Sequence, residues 1–378
     1  MPLFEPRDHE FMRKALALAE VGRGSVEPNP VVGAVIVKDG RIIGEGYHQR
    51  YGGPHAEVFA LRSAGKEAAG GTMYVTLEPC AHTGKTPPCA PQVASAGLAR
   101  VVVAVLDPTG KTHGLGVSLL RRNGVRADVG LCREEAVRQN GGFFKRAATG
   151  RPLVTVKWAM SADGRISTRS GSSRWISGEE SRAYVHSLRA VVDCIVVGAG
   201  TAGADDPLLT ARTPEPARRA ARLVVCGKRA VATDSQLARN AGEAPVLLAY
   251  PEGRPPAEMD ELSSLGCEPV PLAAQPDDPE RVHLPALLDE LGARDMTNVL
   301  VEGGAGLLGG LFDAGLVDRA VVFVAPIVIG GGASVSPIGG IGPEDIADCP
   351  RMSGCTWRTL GQDMVLEGWL ADPLKWVR

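Results

Sequence analysis

The chain has 378 residues, which favours two compact domains over one, because single domains usually contain about 100 to 200 residues. Its formal net charge is −2, so no overall positive field favours a nucleic-acid partner, and no apolar run approaches the roughly 18 residues that cross a membrane. The eight cysteines are scattered, which argues against a disulfide framework, and the polar start lacks the features of a secretory leader, so we expect a cytoplasmic protein.

The first half of the chain alternates between helix and strand patterns. A helix is expected over residues 8–19 with Asp8 as its cap, then a strand over 31–37 and a hairpin that turns at Asp39-Gly40 into residues 41–46. A helix over 56–63, a strand over 73–77, a helix over 91–96 and a strand over 101–106 follow. This alternation predicts a sheet layered between helices.

The pattern stops at residues 147–152 and restarts with a strand over 153–158, so we predict domains of residues 1–147 and 148–378. The second half has predicted helices at 179–190 and 307–314 and predicted strands at 194–197, 223–226, 246–249, 299–301 and 320–324. These elements indicate a second α/β domain. Residues 250–282 show no clear periodicity and are expected to form loops and weak helix.

The strongest chemical pattern is an H-x-E motif at His55 and Glu57, followed by P-C at Cys80 and then Cys89. One imidazole and two thiolates leave the fourth tetrahedral position of a zinc ion open, which is typical of catalytic sites. Zinc lowers the pKa of bound water to about 7, and a carboxylate beside it can move protons to a leaving amine. We therefore predict that His55, Cys80 and Cys89 bind Zn²⁺ and that Glu57 is catalytic. The structural alternatives are a satisfied histidine beside inert buried thiols and a solvated helix carboxylate.

The spacing of the two cysteines differs from that of nucleobase deaminases. Eight residues, AHTGKTPP, separate Cys80 from Cys89, where the nucleobase-deaminase signature has two. A rigid Pro-Pro end, a glycine, and one lysine with threonine and histidine donors predict a site that binds the phosphate of a small substrate. A surface loop with incidental charges is the alternative.

Two segments of the second half match G-x-G-x-x-G, at residues 198–203 and 304–309. The first continues into Asp205-Asp206-Pro207, and the proline argues against the clean helix that a dinucleotide-binding turn requires. The second has strand, glycine turn and helix in order, so amides at the helix start could hold a phosphate. It lacks the acidic residue expected about 20 positions later and lies near the end of the chain, so a structural turn remains the alternative.

A resemblance to a known family is carried by the segments NPVVGAVIVKDGRIIGEGYH, GGPHAEVFAL, YVTLEPCAHTGKTPPC and NGGFFKR. Together they resemble the bifunctional deaminase/reductase of riboflavin biosynthesis, over both halves of the chain. The resemblance implies an N-terminal cytidine-deaminase-like α/β/α layered domain that removes the 2-amino group of 2,5-diamino-6-(5-phosphoribosylamino)pyrimidin-4-one. It also implies that this phosphorylated aminopyrimidine is contacted by Asn29, His82, Lys85 and Asp107.

The chain departs from the family at one place. The family usually has Asp-Pro-Asn-Pro after its fourth strand, whereas this chain has Asp107-Pro108-Thr109-Gly110. A hydroxyl therefore replaces a side-chain amide. An altered substrate contact at Thr109 is expected, and an enzyme that acts on a modified pyrimidine is a variant of this hypothesis.

The segments PLVTVKWAMSADGRIS, SSRWIS, VGAGTAGADDPLLTAR and VEGGAGLLGGLFDAGLVD resemble the reductase half of the same family. This implies a C-terminal dihydrofolate-reductase-like α/β domain that reduces the ribosyl side chain to ribityl by hydride transfer from NADPH to C1 of a ring-opened imine. The residues implied to contact NADPH are Ala159, Trp175, Thr201, Asp205, Gly304, Ala305, Gly306, Leu307, Leu308, Gly309 and Gly310. Those implied to contact the substrate are Ser173, Arg189, Leu209, Arg212 and Glu302.

Each of these reductase residues also has a structural interpretation. The two arginines suit a phosphate because a guanidinium fork matches its oxygens, but arginines are also common on surfaces. Ordinary packing would account for Trp175, a turn for Asp205 and a capping role for Glu302. The sequence identifies no proton donor for the reductase step.

Two rival hypotheses remain open. A nucleic-acid deaminase with the second half as a binding module would need a basic surface, which the near-neutral charge does not support. A chain that has lost one of its two activities would be consistent with the departure at Thr109. A homo-oligomer is expected, but the sequence specifies neither its size nor whether the intermediate passes directly between the sites.

Overall fold

The computed structural model describes residues 4–84, 87–110, 112–213 and 220–377. The chain divides into two compact units: Met1–Gly150 together with Pro373–Arg378, and Arg151–Asp372. The division after Gly150 lies within residues 147–152, where the sequence pattern stops. The last six residues belong to the first unit, although the chain reaches them after the second.

The first unit is built around one five-stranded sheet. Its described helices are α1 (Pro6–Glu20), α2 (Ala56–Ala64), α3 (Cys89–Ser95), α4 (Leu115–Arg122), α5 (Arg133–Gln139) and α6 (Gly141–Thr149), with 3-10 turns at Gly65–Ala68 and Pro373–Trp376. Its strands are β1 (Gly33–Lys38), β2 (Arg41–Tyr47), β3 (Thr72–Val75), β4 (Arg100–Val103) and β5 (Arg126–Val129). The strand order is β2-β1-β3-β4-β5, in which β1 is antiparallel to both neighbours and β3, β4 and β5 are parallel.

The predicted hairpin is confirmed, but the predicted helix cap is wrong. Strands β1 and β2 join at Asp39 and Gly40, whose φ angles of 51° and 72° are those of a type I′ turn. Helix α1 begins at Pro6 and not after Asp8, because proline suits the first helical position. Asp8 lies in the first turn, where its carboxylate accepts the N–H of Glu5 at 2.9 Å and pairs with Arg100 at 2.9 Å.

Helices α1 and α2 cover opposite faces of the sheet. A Cβ atom on Gly33 would overlap the backbone of Ala15 in α1, and one on Gly46 would overlap the backbone of Ala56 in α2. Gly46 pairs directly with Ala34, the neighbour of Gly33. Because successive residues of a strand face opposite sides, the two helices lie on opposite faces, which produces the α/β/α layers.

Helix α2 approaches the sheet closely through small residues. One face of the helix consists of buried alanines spaced by four residues, Ala56, Ala60 and Ala64. A Cβ atom on Gly44 would lie 2.8 Å from the Cβ of Ala64, and one on Gly46 would lie 2.6 Å from the backbone nitrogen of Ala60. The two glycines therefore set the distance between the sheet and α2, whose first turn carries Glu57.

The second unit is built around a nine-stranded sheet. Its described helices are α7 (Glu179–Arg189), α8 (Ala199–Asp205), α9 (Gln236–Arg239), α10 (Met259–Ser264), α11 (Leu284–Ala293) and α12 (Ala305–Asp313), with a 3-10 turn at Ile346–Asp348. Its strands are β6 (Leu153–Ser161), β7 (Cys194–Gly198), β8 (Ala221–Val225), β9 (Val246–Pro251), β10 (Glu268–Leu272), β11 (Ala274–Gln275), β12 (Asp278–Val282), β13 (Asn298–Glu302), β14 (Arg319–Ala325), β15 (Ser353–Leu360) and β16 (Asp363–Trp369). None of the helices described in either unit has the length and apolar character needed to cross a membrane.

The large sheet is parallel except at one end, and its central strands are buried on both faces. The order is β10-β9-β8-β7-β13-β6-β14-β16-β15, with only β16 and β15 antiparallel to their neighbours, while β11 and β12 form a separate pair. Along β7, Cys194 and Val196 join an apolar cluster with α11 and α12, whereas Ile195 and Val197 join another with α9 and α10. Parallel strands buried on both faces form continuous apolar runs, which is why the sequence predicted β7, β8, β9 and β13.

Two expectations for the second half need correction. Residues 250–282 contain the weak helix α10 but also strand β10, which is at the edge of the sheet and therefore tolerates Pro269 and Pro271. Residues 199–205 form α8 in spite of Pro207. That proline lies two residues beyond the last helical residue, where it ends the helix without breaking it.

The substitution Gly46→Ala should destabilise the first unit by about 1 to 3 kcal/mol, because the added methyl group overlaps the backbone of α2. Urea-induced unfolding followed by circular dichroism measures the effect. Gly242→Ala is the control, because a Cβ atom there has no neighbour within 4 Å in the part of the chain that the structure describes. Equal unfolding of the Gly46→Ala variant and the unaltered chain would contradict the close approach of α2.

Candidate functional site

The three predicted zinc ligands lie together in the first unit. His55 directly precedes α2, Cys80 follows β3 and Cys89 is the first residue of α3. The Nδ1 atom of His55 lies 3.5 Å from Sγ of Cys80 and 3.2 Å from Sγ of Cys89, and all three ligand atoms lie within 4.8 Å of one another. Ligand atoms around a tetrahedral zinc ion are separated by about 3.3 to 3.8 Å, since the bonds are about 2.0 to 2.3 Å long. The three side chains therefore fit one zinc ion.

The surroundings of the two sulfurs favour a thiolate at Cys80 and disfavour one at Cys89. Sγ of Cys80 accepts hydrogen bonds from the thiol of Cys89 and from its backbone N–H at 3.3 Å, which lower the pKa of Cys80 to about 4. The same contact between the sulfurs, together with burial, raises the pKa of Cys89. A cation between them stabilises both as thiolates, which agrees with a metal site.

Glu57 is a buried carboxylate without full compensation. Its side chain lines a cavity that is also lined by His55 and Cys80. Glu57 is only 3% exposed, and its Oε2 atom has no hydrogen-bond partner among the described residues. Burial raises the pKa of Glu57 to about 7. An unpaired buried polar atom is costly, so it indicates a partner that binds in the cavity. This orphaned oxygen fits a zinc site with one open position.

The cavity has a volume of about 930 Å³, which lies within the usual range of small-molecule sites of about 300 to 1,000 Å³. Of the predicted substrate residues, the structure brings Asn29, His82 and Asp107 into its lining, close to His55 and Glu57. Lys85 lies outside the described residues.

His48 is a candidate that sequence reasoning missed. It is 2% exposed, and its ring meets that of His55 edge-on, with the ring centres 5.2 Å apart. Nδ1 donates to the carbonyl of Pro54 at 3.0 Å, so Nε2 accepts from the side-chain nitrogen of Asn29 at 3.1 Å. This leaves the amide oxygen of Asn29 for a ligand. His48 follows a strand and is part of no recognised motif, so the sequence did not predict this role.

Thr109, where the chain departs from the family pattern, forms hydrogen bonds within its own loop. Its N–H and its hydroxyl both donate to Oδ1 of Asp107, at 2.8 and 2.6 Å. Burial raises the pKa of Asp107, and these two hydrogen bonds offset only part of that rise. Nearby, the hydroxyl of Thr112 lies 2.9 Å from Nδ1 of His82. The loop thus fixes both predicted substrate residues at the cavity.

Glu78 holds the loop that carries Asp107 and Thr109 through hydrogen bonds with backbone N–H groups. The carboxylate is 3% exposed and accepts the backbone N–H groups of Asp107 at 3.2 Å, Gly114 at 2.9 Å and Val117 at 3.0 Å. Carboxylates that accept several backbone N–H groups are held firmly. Glu78 therefore connects the strand end that leads to Cys80 with the loop that carries Asp107.

A cluster of charged residues lies within the second unit. Glu302 ends β13 directly beside Lys157 of β6 and accepts two hydrogen bonds from Arg189, at 2.5 and 2.8 Å. Burial raises the pKa of Glu302, but Arg189 and Lys157 outweigh this effect and hold it below its usual value. The structure thus brings two predicted substrate residues together and adds Lys157. The signal for Lys157 was a lysine inside the apolar run LVTVKWAMS.

Arg212 is oriented by a histidine. Its Nε and Nη2 atoms lie 3.2 and 3.1 Å from Nε2 of His186, while Nδ1 of His186 lies 3.2 Å from the carbonyl oxygen of Thr210. Burial, with the nearby charges of Arg189 and Arg212, lowers the pKa of His186. A neutral His186 donates through Nδ1 and accepts from Arg212 through Nε2.

The second glycine turn adjoins α8. Gly303 and Gly304 have φ angles of 75° and 84°, and α12 begins directly after them. A Cβ atom on Gly304 would lie 2.8 Å from the hydroxyl oxygen of Thr201, so two predicted NADPH contacts lie side by side. Gly309 has a packing role, because a Cβ atom there would overlap the backbone of Gly339.

The other predicted reductase residues have mixed surroundings. Trp175 is 68% exposed, and the guanidinium group of Arg174 lies 5.8 Å from the centre of its ring. The same guanidinium group lies 3.6 Å from the carboxylate of Asp205. The two predicted NADPH residues Trp175 and Asp205 are therefore near one another. Leu209 is buried with a φ angle of 52°. The remaining predicted residues lie in or beside three elements: Ala159 in β6, Ser173 before α7, and Ala305, Gly306, Leu307, Leu308 and Gly310 in α12.

Comparison with known proteins identifies the family. Residues 5–105 match the cytidine and deoxycytidylate deaminase zinc-binding region, and residues 152–366 match the RibD C-terminal domain. The riboflavin biosynthesis protein RibD of Aquifex aeolicus is 39% identical over 95% of this chain and 97% of its own length, and that of Escherichia coli is 39% identical over 95% and 98%. This chain belongs to the RibD family. The solved structure of Acinetobacter baumannii RibD, form 1, is 36% identical and covers 96% of this chain and 98% of its own, with a TM-score of 0.82.

Membership of the RibD family confirms the predicted activities. The chain is a bifunctional deaminase and reductase of riboflavin biosynthesis, a hydrolase and an oxidoreductase. The predicted fold class is confirmed as a cytidine-deaminase-like first domain and a RibD reductase second domain. The zinc prediction is also confirmed, because the deaminase domain is a zinc-binding one and His55, Cys80 and Cys89 fit the ion.

The substitution Glu78→Gln should raise the KM of the deaminase reaction about 10-fold or more. The NH2 group of Gln donates and cannot accept, so at least one of the three N–H groups that Glu78 accepts loses its partner. Zinc content, measured on the same sample, should stay at one ion per chain. Reductase activity is the internal control. An unchanged KM would mean that Glu78 does not position the loop.

The substitution Glu302→Gln should lower reductase kcat/KM about 10-fold or more, since the buried Arg189 loses its partner. Glu367→Gln is the matched control: Glu367 is also a buried carboxylate paired with arginines, Arg319 and Arg358, but it is not a predicted site residue. Steady-state assays at a temperature where both variants remain folded separate function from stability. Equal losses in the two variants would indicate a structural role for Glu302.

Proposed function

We propose that the first domain deaminates 2,5-diamino-6-(5-phosphoribosylamino)pyrimidin-4-one and that the second reduces the ribosyl side chain of the product with NADPH. Both substrates agree with the name of a Thermotoga maritima relative, a diaminohydroxyphosphoribosylaminopyrimidine deaminase/5-amino-6-(5-phosphoribosylamino)uracil reductase, which is 32% identical over 96% of this chain and 98% of its own, with a TM-score of 0.83. The observation that carries the proposal is the buried Oε2 atom of Glu57, which has no hydrogen-bond partner among the described residues and lies beside three side chains that fit zinc.

Glu57 is the proton carrier in the proposed deamination. His55, Cys80 and Cys89 would hold the zinc ion, which would supply an activated water when bound. Glu57, with a pKa of about 7, can both accept a proton and release it to the leaving amine near neutral pH. Its burial keeps bulk water from competing for that proton.

Other side chains orient the pyrimidine in this proposal. Asn29, fixed by His48, offers its amide oxygen, and Asp107, held by Thr109, offers a carboxylate. His82, beside Thr112, is at the same cavity and can donate to the ribose phosphate. Lys85 stays a predicted phosphate contact.

In the second domain, we propose that the cofactor lies along the glycine turn and α8, with Ala159, Trp175, Thr201, Asp205 and residues 304–310 as its contacts. The positive φ angles of Gly303 and Gly304 and the nearby Thr201 support this position. The substrate is assigned to Ser173, Arg189, Leu209, Arg212 and Glu302, supported by the charged cluster around Arg189. NADPH supplies the hydride, and these residues orient the ring-opened sugar.

Three expectations remain predictions of this proposal. The domain limits of 1–147 and 148–378 leave the final residues with the reductase, whereas the structure groups Pro373–Arg378 with the first unit. A homo-oligomer is supported by the exposed edge strand β15, in which Trp357 is 61% exposed, and light scattering would measure it. The absence of a nucleic-acid partner agrees with the net charge of −2, and a cytoplasmic location stays a prediction.

The substitution Glu57→Gln should abolish deamination while zinc stays bound and the reductase stays active, because Gln cannot carry the proton. Removing zinc with a chelator should likewise stop only deamination. Ammonia release and NADPH oxidation, each started with its own purified substrate, measure the two activities separately. Loss of both activities in the Glu57→Gln variant would contradict independent sites, and continued deamination would exclude Glu57 as the proton carrier.

A further inference from the structure

The end of the chain forms part of the deaminase cavity. Within the first unit, the turn Pro373–Trp376 packs on α5 and α6, and both Lys375 and Trp376 line the cavity that contains His55 and Glu57. The turn follows the whole reductase domain in sequence and lies outside both matched regions, residues 5–105 and 152–366. It is therefore a part of the site that neither family match covers.

Several contacts hold this turn in place. The Trp376 side chain is only 4% exposed, and Pro373 is also buried. Arg133 of α5 donates to the carbonyl oxygen of Val377 at 3.4 Å, and the ammonium group of Lys145 in α6 lies 6.0 Å from the centre of the Trp376 ring. A buried tryptophan in a turn that contacts two helices makes Pro373–Trp376 a fixed wall of the cavity.

The charged residues that line the cavity indicate what Lys375 contributes. Among the described residues of the lining, the carboxylates are Glu57, Glu78 and Asp107, and Lys375 is the only lysine or arginine. The backbone N–H groups that Glu78 accepts offset its charge, but Glu57 has no such set. A phosphorylated substrate needs a cation in such a cavity, since its phosphate carries negative charge.

We propose that Lys375 binds the phosphate group of the deaminase substrate and that Trp376 forms the wall that places Lys375 there. This inference rests on the proposed function, because that function supplies the phosphorylated substrate. Lys375 has an exposed side chain next to the anchored Trp376, so its ammonium group can reach a phosphate while its backbone stays fixed. The C-terminal turn is then a determinant of substrate specificity in the deaminase.

The test compares Lys375→Gln with the charge-retaining Lys375→Arg. For the phosphorylated substrate, Lys375→Gln should raise KM about 10-fold or more with kcat changed less than about two-fold, and Lys375→Arg should restore most of the affinity. For the same substrate without its phosphate, Lys375→Gln and the unaltered chain should have equal KM values. Lys66→Gln, which removes an exposed lysine outside the cavity lining, is the matched control and should change nothing.

Two results would overturn the inference: an unchanged KM for the phosphorylated substrate, or an equal rise in KM with and without the phosphate. Calorimetric binding of the phosphorylated substrate to zinc-loaded Glu57→Gln protein, with and without Lys375→Gln, tests the contact without turnover. If the unaltered chain did not deaminate this substrate, the proposed function would fail, while the binding measurement would still decide the role of Lys375. A chain ending at Asp372 should lose affinity with and without the phosphate, because it also lacks the Trp376 wall; unchanged affinity would exclude that wall.

Discussion

The close approach of α2 to the sheet is the constraint on which the zinc site depends. Gly44 and Gly46 leave no side chain between β2 and the alanine face of α2, so the helix lies directly on the strand. Since His55 precedes this helix and Glu57 is in its first turn, their distance from the two cysteines follows from backbone packing. Packed backbones move little, which is what a metal site with one open position requires.

Three buried carboxylates at the two sites are compensated by hydrogen bonds. Glu78 accepts three backbone N–H groups, Glu302 accepts a guanidinium fork, and Asp107 accepts two groups of Thr109. Each of these contacts offsets the cost of removing a charge from water. In the deaminase cavity, by contrast, Oε2 of Glu57 is buried and has no hydrogen-bond partner among the described residues. This uncompensated oxygen belongs to the residue that we propose as the proton carrier.

The order of the chain does not match the division of the molecule. The polypeptide leaves the first unit after Gly150, builds the whole second unit and returns with Pro373–Arg378. The returning turn contributes Lys375 and Trp376 to the cavity. A fragment cut at the domain boundary would therefore lack part of the deaminase wall, so the two activities share one intact chain even though their residues lie in different units.

The sequence alone determined the features whose cause is local: the Asp39-Gly40 hairpin, the apolar parallel strands, and the zinc ligands, whose residue types and order are set by the chemistry of the metal. Roles that arise only when distant segments meet were decided by the tertiary structure. His48 matters because it orients Asn29, Glu78 because three N–H groups converge on it, Lys157 because β13 places Glu302 beside it, and Lys375 because the end of the chain returns to the first unit. Even β10, with its prolines, is a strand only because it occupies the edge of a sheet, a position that no local pattern specifies.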